Sequence, residues 1–330
     1  VILILADSTD PWATLAHREA QRTGGDVFWV ESVQLLDKLR LNWPVVTGES
    51  IVPGSLEVDG QIVSLDHLTG IFARLPFPLR LDLEGLSDSD AEYVTKETTA
   101  AWLAFLNAMP CSVVNRPVPG GRPTLLSGSP LLAKLARDHG FLLPASRCTS
   151  SQADALQQFM TWGESAYLKP LGSVEPGQFL HSYDGVEQIR RVMELQAVSL
   201  QTVPPGQQAT VYVAGEQVVA TVLRPGKPVP QPMEVLSAHA AQCLGLVRAL
   251  RLTFAECQIV INSDGGVHCL DISSAPNFWR CPQDAQQQIV AHLLEHLSER
   301  RGLSQHDSFN GADGRSSARE RVRPTRSPER

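Results

Sequence analysis

Apolar and polar positions along this chain follow two periods in turn. Short runs rich in Val, Ile and Phe alternate with longer stretches whose apolar residues recur at every third or fourth place; the first pattern suits strands and the second suits helices. VILILADS (1–8) is a strand, and after the turn signal DSTDP the segment ATLAHREAQRTGG (13–25) has helical spacing and a glycine stop. DVFWVES (26–32) reads as a second strand, residues 45–65 as a hairpin about Asp59-Gly60, and LTGIFARL (68–75) as another short strand. A long helix follows over 87–109, opened by Ser and Asp caps and ending before Pro110.

CSVVNRP (111–117) is a strand that runs into VPGGRPTLLSGSP (118–130), whose Pro and Gly content marks a boundary near residues 117–124. Beyond it the spacing predicts helices over 129–141, 151–162, 186–196 and 233–249, and strands over 142–150, 165–173 and 198–203. ATVYVAGEQVVATVLRP (209–225) is a hairpin turning at Ala214-Gly215-Glu216, and residues 252–276 form two strands joined at Asp264-Gly265-Gly266. An amphipathic helix from Gln283 to Arg300 closes the folded part, while the Ser-, Arg-, Gly- and Pro-biased segment Gln305 to Arg330 cannot supply a core and is expected to be disordered. The order of elements excludes an all-α or all-β chain and predicts α/β or α+β architecture with mixed sheets. The expected organisation is an N-terminal α/β domain over 1–120, a second domain over 121–302, and a tail over 303–330.

With 330 residues, 43% of them hydrophobic and 19% charged, the chain can bury a large core and hold a cleft within it. Its formal charge of -7 is uneven. From Arg301 onward seven Arg face four acids, a net +3, which leaves -10 on the body and argues against a nucleic-acid partner. No apolar run approaches the ~20 residues that span a bilayer, and the apolar start lacks the basic flank of a secretory signal, so a cytoplasmic location without membrane contact is expected. Six cysteines without a Cys-x-x-Cys pair read as reduced and mostly buried. His268 and Cys269, adjacent on a strand, face opposite sides and form no ready metal pair.

From the boundary on, the order helix, strand, helix, strand with YLKPLGS, strand, hairpin, helix, and the hairpin AECQIVI…VHCLDISSAP resembles the ATP-grasp fold over roughly Leu125 to Leu297. Within it the chain is similar to the branch of ribosomal-protein glutamate ligases and maturases of ribosomally made peptides, and LTGIFARL with SVVNRP resembles the domain that precedes the grasp in that branch. The resemblance implies ATP held with Mg²⁺ between two antiparallel sheets. It also implies a carboxylate activated as an acyl phosphate and an amine or similar nucleophile that displaces the phosphate, the substrate being a peptide or a small molecule.

The resemblance also assigns residues. Lys169 in YLKPLGS matches a phosphate-contacting lysine, and a lysine at a strand end before Gly172-Ser173 suits an anion physically, because backbone N–H groups approach the same point. Gln201-Thr202-Val203 matches the hinge whose backbone receives adenine, with Thr in place of the usual Glu, and Gln208 and Thr210 stand where the branch has an Asp and an Arg. Arg224 matches an arginine that faces the reacting phosphate or substrate, where its planar fork suits oxyanions. For Mg²⁺, Gln258 aligns with an Asp, Asp271 with a Glu and Ser273 with an Asn; Glu256, two residues from Gln258, falls on the same strand face, opposite Asp271 and Ser273. The branch's first lysine has no counterpart, Pro130 standing near its place and Lys134 one helical turn later. Asn277, Phe278, Trp279 and Arg280, which follow SSAP, match residues that wall the acceptor site in that branch; equally, Phe278 and Trp279 seat the last helix. Two functions remain open at this point: an ATP-dependent carboxylate–amine ligase, or a non-catalytic relative that binds a nucleotide or a peptide partner. The sequence sets no oligomeric state.

Overall fold

The computed structural model describes residues 1–299 apart from 38, 43–45, 48–49, 52–53, 76–78, 80, 82, 118–129, 174–175, 223–230 and 234–236. The boundary loop and the tail expected beyond 303 therefore lie outside the described residues.

The chain begins with β1 (Ile2–Leu5), α1 (Pro11–Arg22), β2 (Val27–Val30) and the single turn α2 (Gln34–Asp37). Short strands β3 (Leu39–Asn42), β4 (Val46–Thr47), β5 (Ser50–Ile51), β6 (Ser55–Val58) and β7 (Gln61–Ser64) follow, then β8 (Gly70–Ala73), α3 (Asp88–Ala108) and β9 (Ser112–Val114). β1, β2, β8 and β9 form one parallel sheet in the order β2-β1-β8-β9. Its central strand, Ile2–Leu5, is buried on both faces, which is why it reads as an unbroken apolar run. A side-chain cap starts α3 where the sequence expected one, Ser87 accepting from the Asp90 N–H, and Asp10 caps α1 by accepting from the Ala13 N–H. The Asp59-Gly60 hairpin forms between β6 and β7.

The second half contains α4 (Pro130–Asp138), β10 (Ser146–Thr149), α5 (Gln152–Thr161), β11 (Ser165–Pro170), β12 (Gln178–His181), α6 (Ser182–Met193) and β13 (Val198–Thr202). It continues with β14 (Gln207–Ala214), β15 (Gln217–Val222), β16 (Gln231–Met233), α7 (Ser237–Ala249), β17 (Phe254–Ile261), β18 (Val267–Ser273) and α8 (Gln283–Ser298). Two antiparallel sheets result, β10-β13-β11-β12 and β16-β15-β14-β17-β18. The first packs one face on α5 and α6 through Phe159, Leu168 and Ile189, and the second packs one face on α4 and α7 through Ala136, Val211 and Leu246.

Three sequence expectations change. Met233 ends the edge strand β16 instead of starting a helix; Pro232, which has no N–H to donate, is tolerated there because the strand lies at the edge of its sheet. β3 and β12 carry no predicted strand. Each is four residues long, too short for its alternation to stand out, and each exists through pairing, β3 with β6 and β12 with β11.

Residues 1–300 form one compact unit. α8 joins its parts: Leu293 and Ile289 pack in the same cluster as Ile2, Trp12 and Phe72 of the first half and Tyr212 and Phe254 of the second. Asn115, in a left-handed conformation at the end of β9, accepts from the Thr253 and Phe254 N–H groups and donates to the Phe254 and Ser274 carbonyls. That side chain ties the parallel sheet to both strands that carry the candidate site. Among the described residues no helix is long and apolar enough to cross a membrane.

Candidate functional site

The second sheet's face opposite α4 and α7 packs on α8 at one end, through Tyr212 and Phe254, and beside it meets the first sheet. On β17 and β18 the register pairs Glu256 with Ser273 and Gln258 with Asp271, so these four side chains share one face as their spacing implied. β14 adds Thr210 opposite Gln258. On the facing sheet Lys169 pairs with Ser199, and Tyr167 pairs with Gln201.

Lys169 Nζ lies 2.9 Å and 2.7 Å from the two oxygens of Asp271, and both residues are 1% exposed. The same carboxylate accepts from the Tyr167 hydroxyl at 3.2 Å and from the Gly177 N–H at 3.1 Å. Burial, and then the Asp271 charge, push the Tyr167 phenol well above its ordinary pKa, so it remains a donor. Gly177 has no room for a side chain: a Cβ would stand 2.6 Å from both the Leu168 carbonyl oxygen and a Tyr167 ring carbon. Sequence reasoning missed Tyr167 and Gly177. Tyr167 was detectable, since it lies two residues from Lys169 on the same strand face.

Glu256 is also 1% exposed. Its Oε1 accepts from Gln258 Nε2 at 2.6 Å and its Oε2 from the Asn277 N–H at 2.7 Å, while Gln258 Oε1 accepts from the Thr210 hydroxyl at 3.2 Å. Desolvation raises its pKa to about 7 against these hydrogen bonds, which pull the other way. Ser273 Oγ accepts from the Ala275 N–H.

The hinge residues have structural partners. Gln201 Nε2 donates to the Leu270 carbonyl at 2.8 Å, and the Thr202 N–H donates to the Ala145 carbonyl. Gln258 pairs with Asp271 but Ile259 with Cys269, which makes Leu270 an extra residue in β18. The bulge accounts for a carbonyl that Gln201 can reach. Val203 packs beside Tyr167, Val260 and Leu270. A pocket opens next to Gln201 and Leu270, walled by Leu132, Ala136 and Pro144 and edged by Arg137. Gly172 takes a left-handed φ of 84° in the turn after β11, and the Ser173 N–H donates to the Pro170 carbonyl. Lys134 does not reach inward; it pairs with Asp138 on the exposed side of α4. Arg224 lies outside the described residues.

The donor set of Glu256, Gln258, Asp271 and Ser273 is all oxygen, the chemistry Mg²⁺ takes. It contains two carboxylates, and among the described residues no three His, Cys, Asp or Glu side chains gather as a metal site. Two carboxylates suffice for an ion that keeps waters and binds phosphate oxygens. The residues therefore fit Mg²⁺ on the condition that Lys169 turns from Asp271 to a phosphate.

At the level of sequence, neither a protein-family model nor a curated protein matches the chain. Solved structures do. The macrocyclase MdnC bound with precursor peptide MdnA, from Microcystis aeruginosa MRC, superposes with a TM-score of 0.64 at 12% identity, covering 91% of this chain and all of that one. The ATP-grasp ligase PsnB complexed with minimal precursor, Mg and ADP gives 0.63 at 18%, covering 90% of this chain and 98% of that one. A RimK domain ATP-grasp protein from Sphaerobacter thermophilus DSM 20745 gives 0.53 at 15%, covering 90% and 99%. The shared architecture spans both halves, and the chain has the ATP-grasp fold.

Proposed function

We propose that this ATP-grasp chain is an ATP-dependent ligase that joins a carboxylate, carried by a peptide or small molecule, to an amine through an acyl phosphate. One observation carries the reading: Lys169 of one sheet converges on Asp271 of the other, with Glu256 and Gln258 on the same buried face. A cation facing carboxylates between two sheets is what phosphoryl transfer to a carboxylate needs, because catalysis there is mostly positioning and charge stabilisation.

In this reading Lys169 exchanges Asp271 for phosphate oxygens, and its burial strengthens the attraction by excluding water. Asp271 and Glu256 would hold Mg²⁺, with Gln258 and Ser273 beside them. When bound, the metal supplies charge neutralisation on the phosphates. Gly172 and Ser173 bring backbone close to the phosphates, Gln201, Thr202 and Val203 border the base, and the resemblance assigns Arg224 to the transferred group. A substrate carboxylate oxygen attacks the terminal phosphorus and ADP leaves; the amine then attacks the acyl carbon, and the C–O bond to phosphate breaks. PsnB, of the same fold, is complexed in its structure with a minimal precursor, Mg and ADP, which supports ATP, Mg²⁺ and a peptide here.

A second reading has its own support: every oxygen of Asp271 and Glu256 already has a protein partner. A chain that had given up turnover could keep such a closed network as structure. Thermal unfolding with ATP, with and without Mg²⁺, separates the two, because a ligand of the native state stabilises it by about 2.7 kcal/mol at a hundred times its Kd. A Mg²⁺-dependent rise in Tm that disappears in Lys169→Ala, with direct binding of a fluorescent ATP analogue to the folded variant as a check, is the expected result. No shift at millimolar ATP would sink the ligase reading.

A further inference from the structure

Lys169 bonds both oxygens of Asp271, at 2.9 Å and 2.7 Å. A lysine that turns to a phosphate gives up both bonds at once. A buried carboxylate that loses its donors favours its neutral form and is free to rotate, whereas a metal ligand needs both its charge and its aim.

Tyr167 stands two residues before Lys169 on the same face of β11. Its ring is 0% exposed, set edge-on against Phe179 of β12 at 5.0 Å and packed with Val260 of β17, Leu270 of β18 and Val203. A ring walled in this way cannot turn its hydroxyl elsewhere, and that hydroxyl donates to Asp271 Oδ2 at 3.2 Å. The Gly177 N–H reaches the same oxygen at 3.1 Å. A carboxylate pinned at one oxygen cannot turn about its Cβ–Cγ bond.

The two sheets are therefore bridged at Asp271 by a charged donor and by a neutral one. They differ in what can draw them off. Phosphate oxygens compete for the ammonium, because charge-assisted bonds are the stronger kind, and its flexible stem lets it follow them. The phenol carries no charge, and burial together with the Asp271 charge keeps it protonated.

We propose that Tyr167 is a positioning residue of the candidate metal centre: its hydroxyl keeps Asp271 aimed at Mg²⁺ after Lys169 has moved to a phosphate. Hydrogen-bond partners that orient a metal ligand set metal affinity by about 10–100-fold. The inference rests on the ligase reading, which gives Asp271 to the metal.

The test uses the full chain and Tyr167→Phe, which removes the hydroxyl and leaves the ring in its seat. Circular dichroism and Tm are read first, and some loss of Tm is expected whatever the role, because a buried hydrogen bond is gone. Anisotropy of a fluorescent ATP analogue is then measured without metal and over a range of Mg²⁺ concentrations. The analogue is expected to bind parent and variant alike without metal, since Lys169 is untouched. The gain in affinity that Mg²⁺ confers on the parent is expected to shrink by about tenfold or more in the variant. A merely structural hydroxyl would weaken binding equally with and without Mg²⁺, and that result overturns the inference. An equal Mg²⁺ gain in both proteins also overturns it and leaves the ligase reading standing. A parent whose binding of the analogue does not respond to Mg²⁺ removes the ligase reading and the inference with it.

Discussion

Lys169 and Asp271 pose the sharpest question at the scale of single residues. Two opposite charges removed from water at 1% exposure contribute little net stability as a pair, but either one alone is costly. Lys169→Met is expected to lower unfolding free energy by about 3–5 kcal/mol, softened by the Tyr167 and Gly177 donors that stay on Asp271. Adding Asp271→Leu should return most of it, and a double-mutant cycle in urea measures the coupling; additive losses would contradict it. Glu256 makes a second prediction. Its folded pKa of about 7 stands above the ordinary value of 4.5, so the folded state binds more protons than the unfolded one between those pH values. Stability from this group is therefore present below pH 4.5, falls as pH rises through the window, and is fully lost above 7, a loss of roughly 3 kcal/mol. Glu256→Gln should flatten that decline, because a flip of Gln258 gives the new amide an acceptor and the Thr210 hydroxyl can rotate to accept in turn. Urea unfolding from pH 5 to 8 reads the slope directly, and equal slopes in both proteins would refute the assignment.

At the scale of elements, the site depends on how strands meet and how closely. The Leu270 bulge turns a backbone carbonyl of β18 toward Gln201, so β13 is tied to the β17–β18 hairpin by one amide. Neither the bulge nor that tie could be read in VHCLDISSAP, because a bulge is defined by the partner strand's register. The short strands β3 and β12 were missed for the same reason. Where an element's own residues sufficed, expectation and structure agree: the Ser87 cap, the Asp59-Gly60 and Gly265 turns, and the alternation that put Glu256 with Gln258 and Asp271 with Ser273. Close approach between elements predicts a further effect. A Cβ on Gly70 of β8 would stand 2.5 Å from the Leu297 carbonyl oxygen of α8, backbone that cannot rotate away. Gly70→Ala should cost about 1–3 kcal/mol by pushing α8 off the parallel sheet. Faster amide exchange in α8 would localise the loss there, and an unchanged Tm would show that the approach is looser than it looks.

For the whole molecule, α8 packs against both halves, which argues for one folding unit. Its buried side chains share a cluster with β1, α1 and β8 on one side and β14 and β17 on the other. Leu293→Ala is expected to cost about 2–5 kcal/mol and to shift a single transition, so that two spectroscopic probes report the same midpoint. Separate midpoints would mean that the halves unfold independently. The same coupling supports the site, since Asn115 of the parallel sheet holds the strand ends from which Glu256 and Ser273 extend. By itself the sequence determined the period of each segment, hence the helices, most strands and the faces on which acids and Lys169 fall, because those depend on local spacing and local caps. Only the tertiary structure decided that Lys169 closes on Asp271, that Tyr167 and Gly177 join it, that Lys134 faces away and that Trp279 is exposed while Phe278 is packed. These facts depend on which distant surfaces are pressed together and what water is excluded between them, and no local pattern along a chain encodes that.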